Sequence, residues 1–571
     1  MRAERQIFPL VGAFKWDSRT WVIGPVLAVT VYLVVIPLVF LLWTSFRTGQ
    51  IGMPAELTFS NYARAYANPG TYELLRNTLV FASGSAAIAL FLGIIFAWLV
   101  ERTNLPGKEW FYPLFLVPIA IPGVLFSIAW VLLLSPGAGV INLALKYALR
   151  LEQAPFDVYN LWGMILLEGL HLTPVAFLML AGSFRRMDPA LEEASDAVGA
   201  GFLTTLYRIT LRVLRPSILG ALIYVLISAM ESFEVPGIIG MRAGIHVLAF
   251  KIYLAKQESP PDYGMLSTLA ILLLVISAIL IVSYSKLSRD ADKYATITGK
   301  AYRAKMIDLG PWRFFALGLV ATYFAVTIIL PLLVLIWTSV LPTYQAPSMA
   351  ALSRMSLDNY RTVFQISKVA LAFKNTLILV LLAPTITMLI CSVLSWIIVK
   401  SRGRGRKILD FLTFMPHAIP GIVTGVALMW VYIFLPLPIY GTIWILLIAY
   451  VTSRIAFGTR VMNAAMTQLH KELEEASYAS GGSWFGTFRK ITLPLLLPAL
   501  VNGWIFSAIV VAKAMGSVIM LYSHDSIVLS VLVWELWSNG DVAATASLGV
   551  LLILGLMGAT FVARKFAIQN L

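Results

Sequence analysis

Apolar stretches of about 20 residues recur along the whole of this 571-residue chain, and each is long enough to cross a bilayer as a helix. A bilayer core offers no water to backbone amide groups, so spanning segments of this length fold as helices. Hydrophobic residues make up 59% of the chain and charged residues 12%, about half the charged share of a soluble domain. We therefore predict an all-α membrane protein.

The pattern predicts twelve spans, six in each half of the chain. Those of the first half are 21–46, 74–100, 110–134, 160–182, 216–234 and 266–286. Those of the second half are 312–340, 374–399, 408–434, 441–463, 497–520 and 544–565. The first apolar run is long enough to stay in the membrane, so we expect no cleaved signal peptide.

Lysine and arginine concentrate in alternate loops between these spans, and the net charge is +15. Basic loops lie on the cytoplasmic side of a membrane, which places the N- and C-termini in the cytoplasm. This topology accounts for the positive charge, and we expect no nucleic-acid partner. The single cysteine, Cys391, lies within an apolar run and supports neither a disulfide nor a thiolate metal site.

The chain is an internal duplication. Three motifs recur 298 residues apart, namely Asn61-Tyr62 with Asn359-Tyr360, Asn77-Thr78-Leu79 with Asn375-Thr376-Leu377, and Ile121-Pro122-Gly123 with Ile419-Pro420-Gly421. Because each half has an even number of spans, the two halves are parallel repeats. We divide the chain into an N-terminal cytoplasmic segment (1–20), a first half (21–286), a linker (287–311) and a second half (312–571).

A polar segment after the fourth span returns 282 residues later. Glu193-Ala194-Ser195, Gly199 and Ile209-Thr210-Leu211 recur as Glu475-Ala476-Ser477, Gly481 and Ile491-Thr492-Leu493. Asp188 and Pro189 suit the start of a short helix, the glycine permits a sharp turn, and a second helix would cover 203–213 before Pro216 opens the fifth span. Pro498 would open the eleventh. Two such cytoplasmic knobs predict a partner with two-fold symmetry.

This segment resembles the signature of permease subunits in bacterial binding-protein-dependent ABC importers. The resemblance implies two parallel six-helix repeats of the type I, MetI-like permease fold in the inner membrane, an ABC ATPase homodimer on the cytoplasmic side and a periplasmic or lipid-anchored solute-binding protein outside. It implies that the two segments dock on the ATPase through Glu193, Ala194, Gly199, Ile209, Leu211, Glu475, Ala476, Gly481, Ile491, Leu493 and Pro494. Ser195 and Ser477 replace an alanine of the signature, and Arg212 replaces the proline that the second copy keeps, so the two halves are expected to dock unequally.

The fusion of two six-span halves resembles the ferric-iron transport permeases, as do Ser232–Gly240 and Ile252-Tyr253-Leu254. Ferric iron is therefore the expected substrate. Permeases for 2-aminoethylphosphonate, thiamine or polyamines use the same machinery and remain alternatives. A secondary transporter with parallel six-span repeats is the alternative class, because it also explains the duplication.

No catalytic site is predicted. The nearest approach to a phosphate-binding loop, Thr298-Gly299-Lys300-Ala301, lacks its first glycine and its Ser or Thr. ATP and Mg²⁺ would therefore bind a separate ATPase, and this chain is expected to hold no cofactor and no metal site of its own.

Ionisable residues inside predicted spans mark the candidate pathway, because they are costly in lipid. Glu231 and Lys513 occupy equivalent positions in the two halves, roughly 22 Å from the cytoplasmic end, where an acid–base pair could close a gate, unless each finds a partner within its own half. Glu168 and His171 share a helix face, either as a waypoint for a hard cation or as an internally satisfied pair. The remaining candidates are Arg454, which could contact an anionic group or a carboxylate, and Glu234 at the external mouth.

Overall fold

The computed structural model describes residues 18–48, 56–188, 190–289, 306–400, 405–470 and 472–569. The helices of the first half are Ser18–Ser45, Ser60–Ala67, Pro69–Arg102, Lys108–Ala120, Gly123–Leu134, Val140–Ala148, Leu161–Arg186, Ala190–Ala197, Phe202–Thr205, Leu206–Thr210 (π), Leu211–Val213, Arg215–Met230, Pro236–Gly240 (π), Met241–Ala243, Leu248–Gln257 and Tyr263–Arg289. Within these described ranges the only β structure is two isolated bridges, in keeping with the predicted all-α class.

The described helices of the second half follow a similar order, except that none matches Val140–Ala148. They are Trp312–Phe324, Ala325–Ile329 (π), Leu330–Ser339, Met349–Leu352, Asp358–Gln365, Ser367–Lys400, Gly405–Phe414, Met415–Ala418 (3-10), Gly421–Phe434, Ile443–Gln468, Glu472–Ala479, Trp484–Thr487, Phe488–Thr492 (π), Leu493–Lys513, Val518–Leu521, Leu529–Ser538 and Val542–Gln569. Across the described residues, nine continuous helical segments are long and apolar enough to cross a bilayer, and four bent pairs of helices pass the same test. The count is thirteen if every bent pair is one span, one more than predicted, and the additional pair is Pro236–Ala243 with Leu248–Gln257.

The third and ninth spans, predicted as continuous helices over 110–134 and 408–434, are both broken. Lys108–Ala120 meets Gly123–Leu134 at 88°, and Gly405–Ala418 meets Gly421–Phe434 at 108°. The cause is local, because a residue before proline avoids the helical region. Ile121 has ψ 124° before Pro122, and Ile419 has ψ 113° before Pro420.

The fifth and eleventh spans differ from one another. In the first half the helical segment Phe202–Val213 meets Arg215–Met230 at a 70° bend, close to the predicted arrangement. In the second half Trp484–Lys513 is one continuous helical segment with Pro498 inside it. The prediction that Pro498 opens the eleventh span at 497 was therefore wrong, although an interior proline often breaks a helix.

The Asn-Tyr motif repeated in both halves ties a short helix to the end of the preceding span. Asn61 donates to the carbonyls of Ser45 and Arg47 at 3.0 and 2.8 Å. Asn359 donates in the same way to the carbonyls of Ser339 and Leu341 at 2.8 and 2.7 Å. Carbonyls at the end of a helix lack intrahelical donors, so each asparagine satisfies the last carbonyl of the helix and one carbonyl two residues beyond it.

The first span of each half packs on the opposite half. The Tyr32 hydroxyl donates to the Tyr432 hydroxyl at 2.8 Å, and Trp43 makes an edge contact with Phe434 at 4.9 Å. Tyr323, from the first span of the second half, donates to the Leu170 carbonyl at 3.1 Å. The two halves are therefore interlocked, because the first span of each half contacts a span of the other half.

Most of the predicted linker lies outside the described residues, but its end, Met306–Leu309, is paired with the first half. We call this contact the linker clasp. The Ile307 amide donates to the Arg102 carbonyl at 2.8 Å, and the Asn104 amide donates to the Ile307 carbonyl at 3.1 Å. The Asn104 side chain donates to Asp308 at 2.5 Å and accepts from the Leu309 amide at 3.0 Å. The Gly310 amide, together with Asn104, lowers the pKa of the Asp308 carboxyl below its usual range.

Candidate functional site

The first repeated segment, residues 188–213, folds as two short helical pieces around a glycine turn. Asp188 caps the first piece, accepting from the Ala190 amide at 2.9 Å. Gly199 has φ +76°, a conformation that favours glycine, and it turns the chain back on itself as predicted. Two hydrogen bonds then join the pieces, Ser195 with Thr205 at 2.7 Å and Thr210 to Glu192 at 2.8 Å.

The second repeated segment, residues 470–495, reproduces this construction. Gly481 has φ +80°, Ser477 bonds Thr487 at 2.8 Å, and Thr492 donates to Glu474 at 3.4 Å. The serines that depart from the family signature are therefore the internal ties of both segments. We did not predict these hydrogen bonds. Their recurrence could have indicated them, because all four bonded positions of the first segment return as the same residue types 282 residues later.

One contact distinguishes the two segments. Arg102, fully buried at the end of the second span, forms an ion pair with Glu192. The equivalent residue of the second half, Lys400, instead donates to the Leu469 carbonyl at 2.7 Å. The Arg102 carbonyl also belongs to the linker clasp. One residue therefore connects the first repeated segment to the end of the linker, and the second segment makes no matching contact among the described residues.

Apart from the two turn glycines, the residues that the signature marks for docking fall into two groups. Glu193, Ala194, Glu475, Ala476 and Pro494 are exposed. The aliphatic members Ile209, Leu211, Ile491 and Leu493 are partly buried. The exposed acids form no ion pair within the described chain, so their carboxylates are open to a partner. Of the aliphatic residues, Leu493 packs against the hydrophobic core.

The ionisable residues inside the spans converge near the two helix breaks. Glu168 is buried and accepts from Ser232 at 3.0 Å, and it lies within electrostatic range of Glu231, Glu234 and Lys513. In the second half the equivalent contact joins Tyr450 to the Ala514 carbonyl at 3.0 Å. The same pair of helix positions thus carries an acid in one half and a phenol in the other.

Glu231 and Lys513 do not pair with each other, so the predicted direct ion pair was wrong. Glu231, at the end of Arg215–Met230, accepts from the Gly421 amide at 3.1 Å. Lys513, at the end of Leu493–Lys513, donates to the Ile119 carbonyl. Each side chain therefore reaches backbone in the opposite half, at the break in a span, and the alternative of partners within each half is wrong as well.

The other pathway candidates surround this contact. Glu234 lies beside Gly123, where an added Cβ would stand 3.5 Å from its side chain, so it sits at the first break. The His171 ring packs against the Phe126 ring with 5.2 Å between their centroids. Its buried Nδ1 has no hydrogen-bond partner among the described residues, and His171 does not bond Glu168. Arg454 lies within electrostatic range of Glu231. In the described part of the chain, no three His, Cys, Asp or Glu side chains are grouped so as to hold a metal ion.

Two separate stretches, residues 89–292 and 388–569, match the family model described as "Binding-protein-dependent transport system inner membrane component". The chain belongs to this family. It is a fused permease of an ABC importer, carrying one family unit in each half, and the secondary transporter that the duplication alone allowed is excluded. The second stretch lies within the second half, and the first stretch ends six residues beyond the predicted end of the first half at residue 286.

Relatives of known description match most of the chain. The ferric transport system permease protein FbpB of Actinobacillus pleuropneumoniae is 25% identical over 94% of this chain and 77% of its own length. The Fe(3+)-transport system permease protein FbpB 2 of Haemophilus influenzae is 24% identical over 92% of this chain and 95% of its own. A solved bacterial ABC transporter for alginate import is 19% identical, with a TM-score of 0.37, covering 45% of this chain and 96% of that one.

Proposed function

We propose that this permease carries ferric iron across the inner membrane, delivered by an external solute-binding protein. The observation that carries the proposal is the similarity to ferric permeases along nearly the whole fused chain. A 2-aminoethylphosphonate permease of Salmonella paratyphi A, by contrast, aligns with 29% of it. The importer would accept its cargo from the binding protein and therefore needs no tight metal site in its own pathway.

We further propose that the two repeated segments face the cytoplasm and dock on a separate ATPase dimer that binds ATP and Mg²⁺. The exposed Glu193 and Glu475 carboxylates support this role, since each stands on a short helix stiffened by two hydrogen bonds. The basic loops favour a topology in which both chain termini lie on the same side as these segments. Glu168, His171, Glu231, Glu234, Arg454 and Lys513 would then lie along the pathway between the two halves.

Substrate identity is tested by uptake in cells that lack their own ferric permease. Cells expressing this chain with its ATPase and binding protein should take up radiolabelled ferric iron, and excess unlabelled thiamine, polyamine or 2-aminoethylphosphonate should not compete. Uptake of labelled 2-aminoethylphosphonate, thiamine or polyamine with no iron uptake would overturn the proposal.

ATPase docking is tested by replacing both exposed acids, Glu193→Arg with Glu475→Arg. Because the charge at both contacts is reversed, we expect the permease to lose its ATPase during purification and uptake to fall at least tenfold. Glu152→Arg is the matched control, an exposed acid in the loop before the fourth span, and should leave assembly unchanged. Normal assembly of the double variant would refute the docking role.

A further inference from the structure

Two equivalent side chains, one from each half, end at the broken spans of the opposite half. Helix Arg215–Met230 is 16 residues long, so Glu231 lies about 24 Å beyond its start, and Lys513 holds the matching position 282 residues later. Glu231 accepts from the Gly421 amide, and Lys513 donates to the Ile119 carbonyl. The contacts are reciprocal between the halves although their charges are opposite.

Each charge suits the backbone end that it meets. Gly421 is the first residue of a helix, where free amide groups carry partial positive charge and favour a carboxylate. Ile119 lies in the last turn of Lys108–Ala120, where free carbonyls carry partial negative charge and favour an ammonium group. Both interactions are charge-assisted hydrogen bonds, about twice as strong as neutral ones.

A second pair of equivalent positions explains why the two charges differ. At the first break the start of helix Gly123–Leu134 already faces Glu234. At the second break the equivalent of Glu234 is Gly516, which presents only backbone to Gly421. The helix start at Gly421 is therefore left to Glu231, whereas a carboxylate at position 513 would approach a break that already carries Glu234. A lysine there avoids that repulsion and takes the carbonyl instead.

We propose that Glu231 and Lys513 form a reciprocal latch that keeps the two halves closed against each other in the resting importer. The latch rests on the function proposed above, and it regulates the pathway rather than binding the cargo. Closure of the ATPase dimer would pull the halves apart at the helix breaks, so both backbone contacts must open before the pathway can face the binding protein.

The latch is tested by two readouts on the full chain in lipid nanodiscs, the thermal unfolding midpoint of the permease alone and the ATP hydrolysis of its complex with the ATPase when the binding protein is omitted. Glu231→Ala and Lys513→Met should each lower the unfolding midpoint, because each removes a hydrogen bond to a charged group. Each should also raise the rate of ATP hydrolysis without the binding protein by about tenfold, the change expected from losing one such bond. Glu231→Gln keeps an acceptor for the Gly421 amide and should change both readouts less. Lys368→Met, which removes an ion pair with Glu535 within the second half, is the control and should leave the unstimulated rate unchanged.

The charge-exchanged double variant, Glu231→Lys with Lys513→Glu, separates this latch from a direct ion pair. It places an ammonium at a helix start and a carboxylate at a helix end, so it should unfold at a lower temperature than either single variant. Recovery of the wild-type midpoint, or single variants that match wild type in both readouts, would overturn the latch. A wild-type chain that never assembles with an ATPase would refute the proposed function, while the unfolding measurements would still decide the latch contacts.

Discussion

Glu192 and Glu474 are equivalent residues with unequal surroundings. Both accept a hydrogen bond from a threonine of the same segment, but only Glu192 also neutralises a fully buried arginine. The repeated signature directs attention to the next residue, Glu193, which is exposed. At this scale the duplication provides an internal comparison, because a change in one half can be measured against the same change in the other.

We predict that Glu192→Ala destabilises the protein by about 3 kcal/mol, because it leaves the Arg102 charge buried without a partner. Glu474→Ala removes one threonine contact and should cost about 1 kcal/mol. Thermal unfolding of the two variants in the same detergent checks the difference. Equal shifts would show that the Arg102 pair contributes nothing.

Prediction from sequence succeeded for residues whose type favours a particular backbone conformation, as glycine favours a turn with positive φ. Gly199 and Gly481 were assigned to sharp turns, and both have positive φ. It failed for Glu231 and Lys513, because their partners are backbone atoms of the other half. A partner of that kind follows from how two distant segments pack, and no spacing along the chain encodes it.

At the scale of elements, breaks in spans decide where polar backbone becomes available inside the bundle. Pro122 and Pro420 were visible in the sequence, yet the apolar runs around them favoured continuous helices over 110–134 and 408–434. The bend before the fifth span is harder to foresee, since Pro216 and Pro498 recur at equivalent positions and only the first lies at a bend.

The linker clasp yields a prediction at this scale. Asn104→Ala removes the donor to Asp308 and the acceptor for the Leu309 amide, so the Leu309 amide should exchange with solvent about tenfold faster. Hydrogen–deuterium exchange of the purified permease measures this. Asn160→Ala, which uncaps the fourth span at the Gly163 amide, should leave Leu309 unaffected; unchanged exchange in Asn104→Ala would contradict the clasp.

At the scale of the whole molecule, the duplicated sequence suggests two separable halves, but the packing joins them. The first span of each half rests on the other, through Tyr32 with Tyr432 and Tyr323 with the Leu170 carbonyl. The repeated motifs predicted the duplication, and the family model matches one stretch in each half. The packing of each first span on the opposite half was not predicted, because an apolar stretch in the sequence does not show which half will cover it.

We therefore predict that neither half is stable alone. When the chain is interrupted between residues 290 and 305, the two co-expressed pieces should purify together, because their first spans still interlock. Either piece expressed singly should be degraded or aggregate, which pulse-labelling and size-exclusion chromatography would detect. A monodisperse single half would contradict the interlocked packing.

The bend before the fifth span has a mechanical consequence. The helical segment Trp484–Lys513 is continuous. If it moves as a rigid body, a displacement along its axis at Trp484 moves Lys513 by the same distance. In the first half, Phe202–Val213 and Arg215–Met230 meet at a bend of 70°. A change of that angle would turn part of the same displacement into rotation of one helix against the other. In the proposed importer, equal movements of the two ATPase subunits would therefore displace the two latch residues by different amounts. We expect the bond from Lys513 to the Ile119 carbonyl to break before the bond from the Gly421 amide to Glu231.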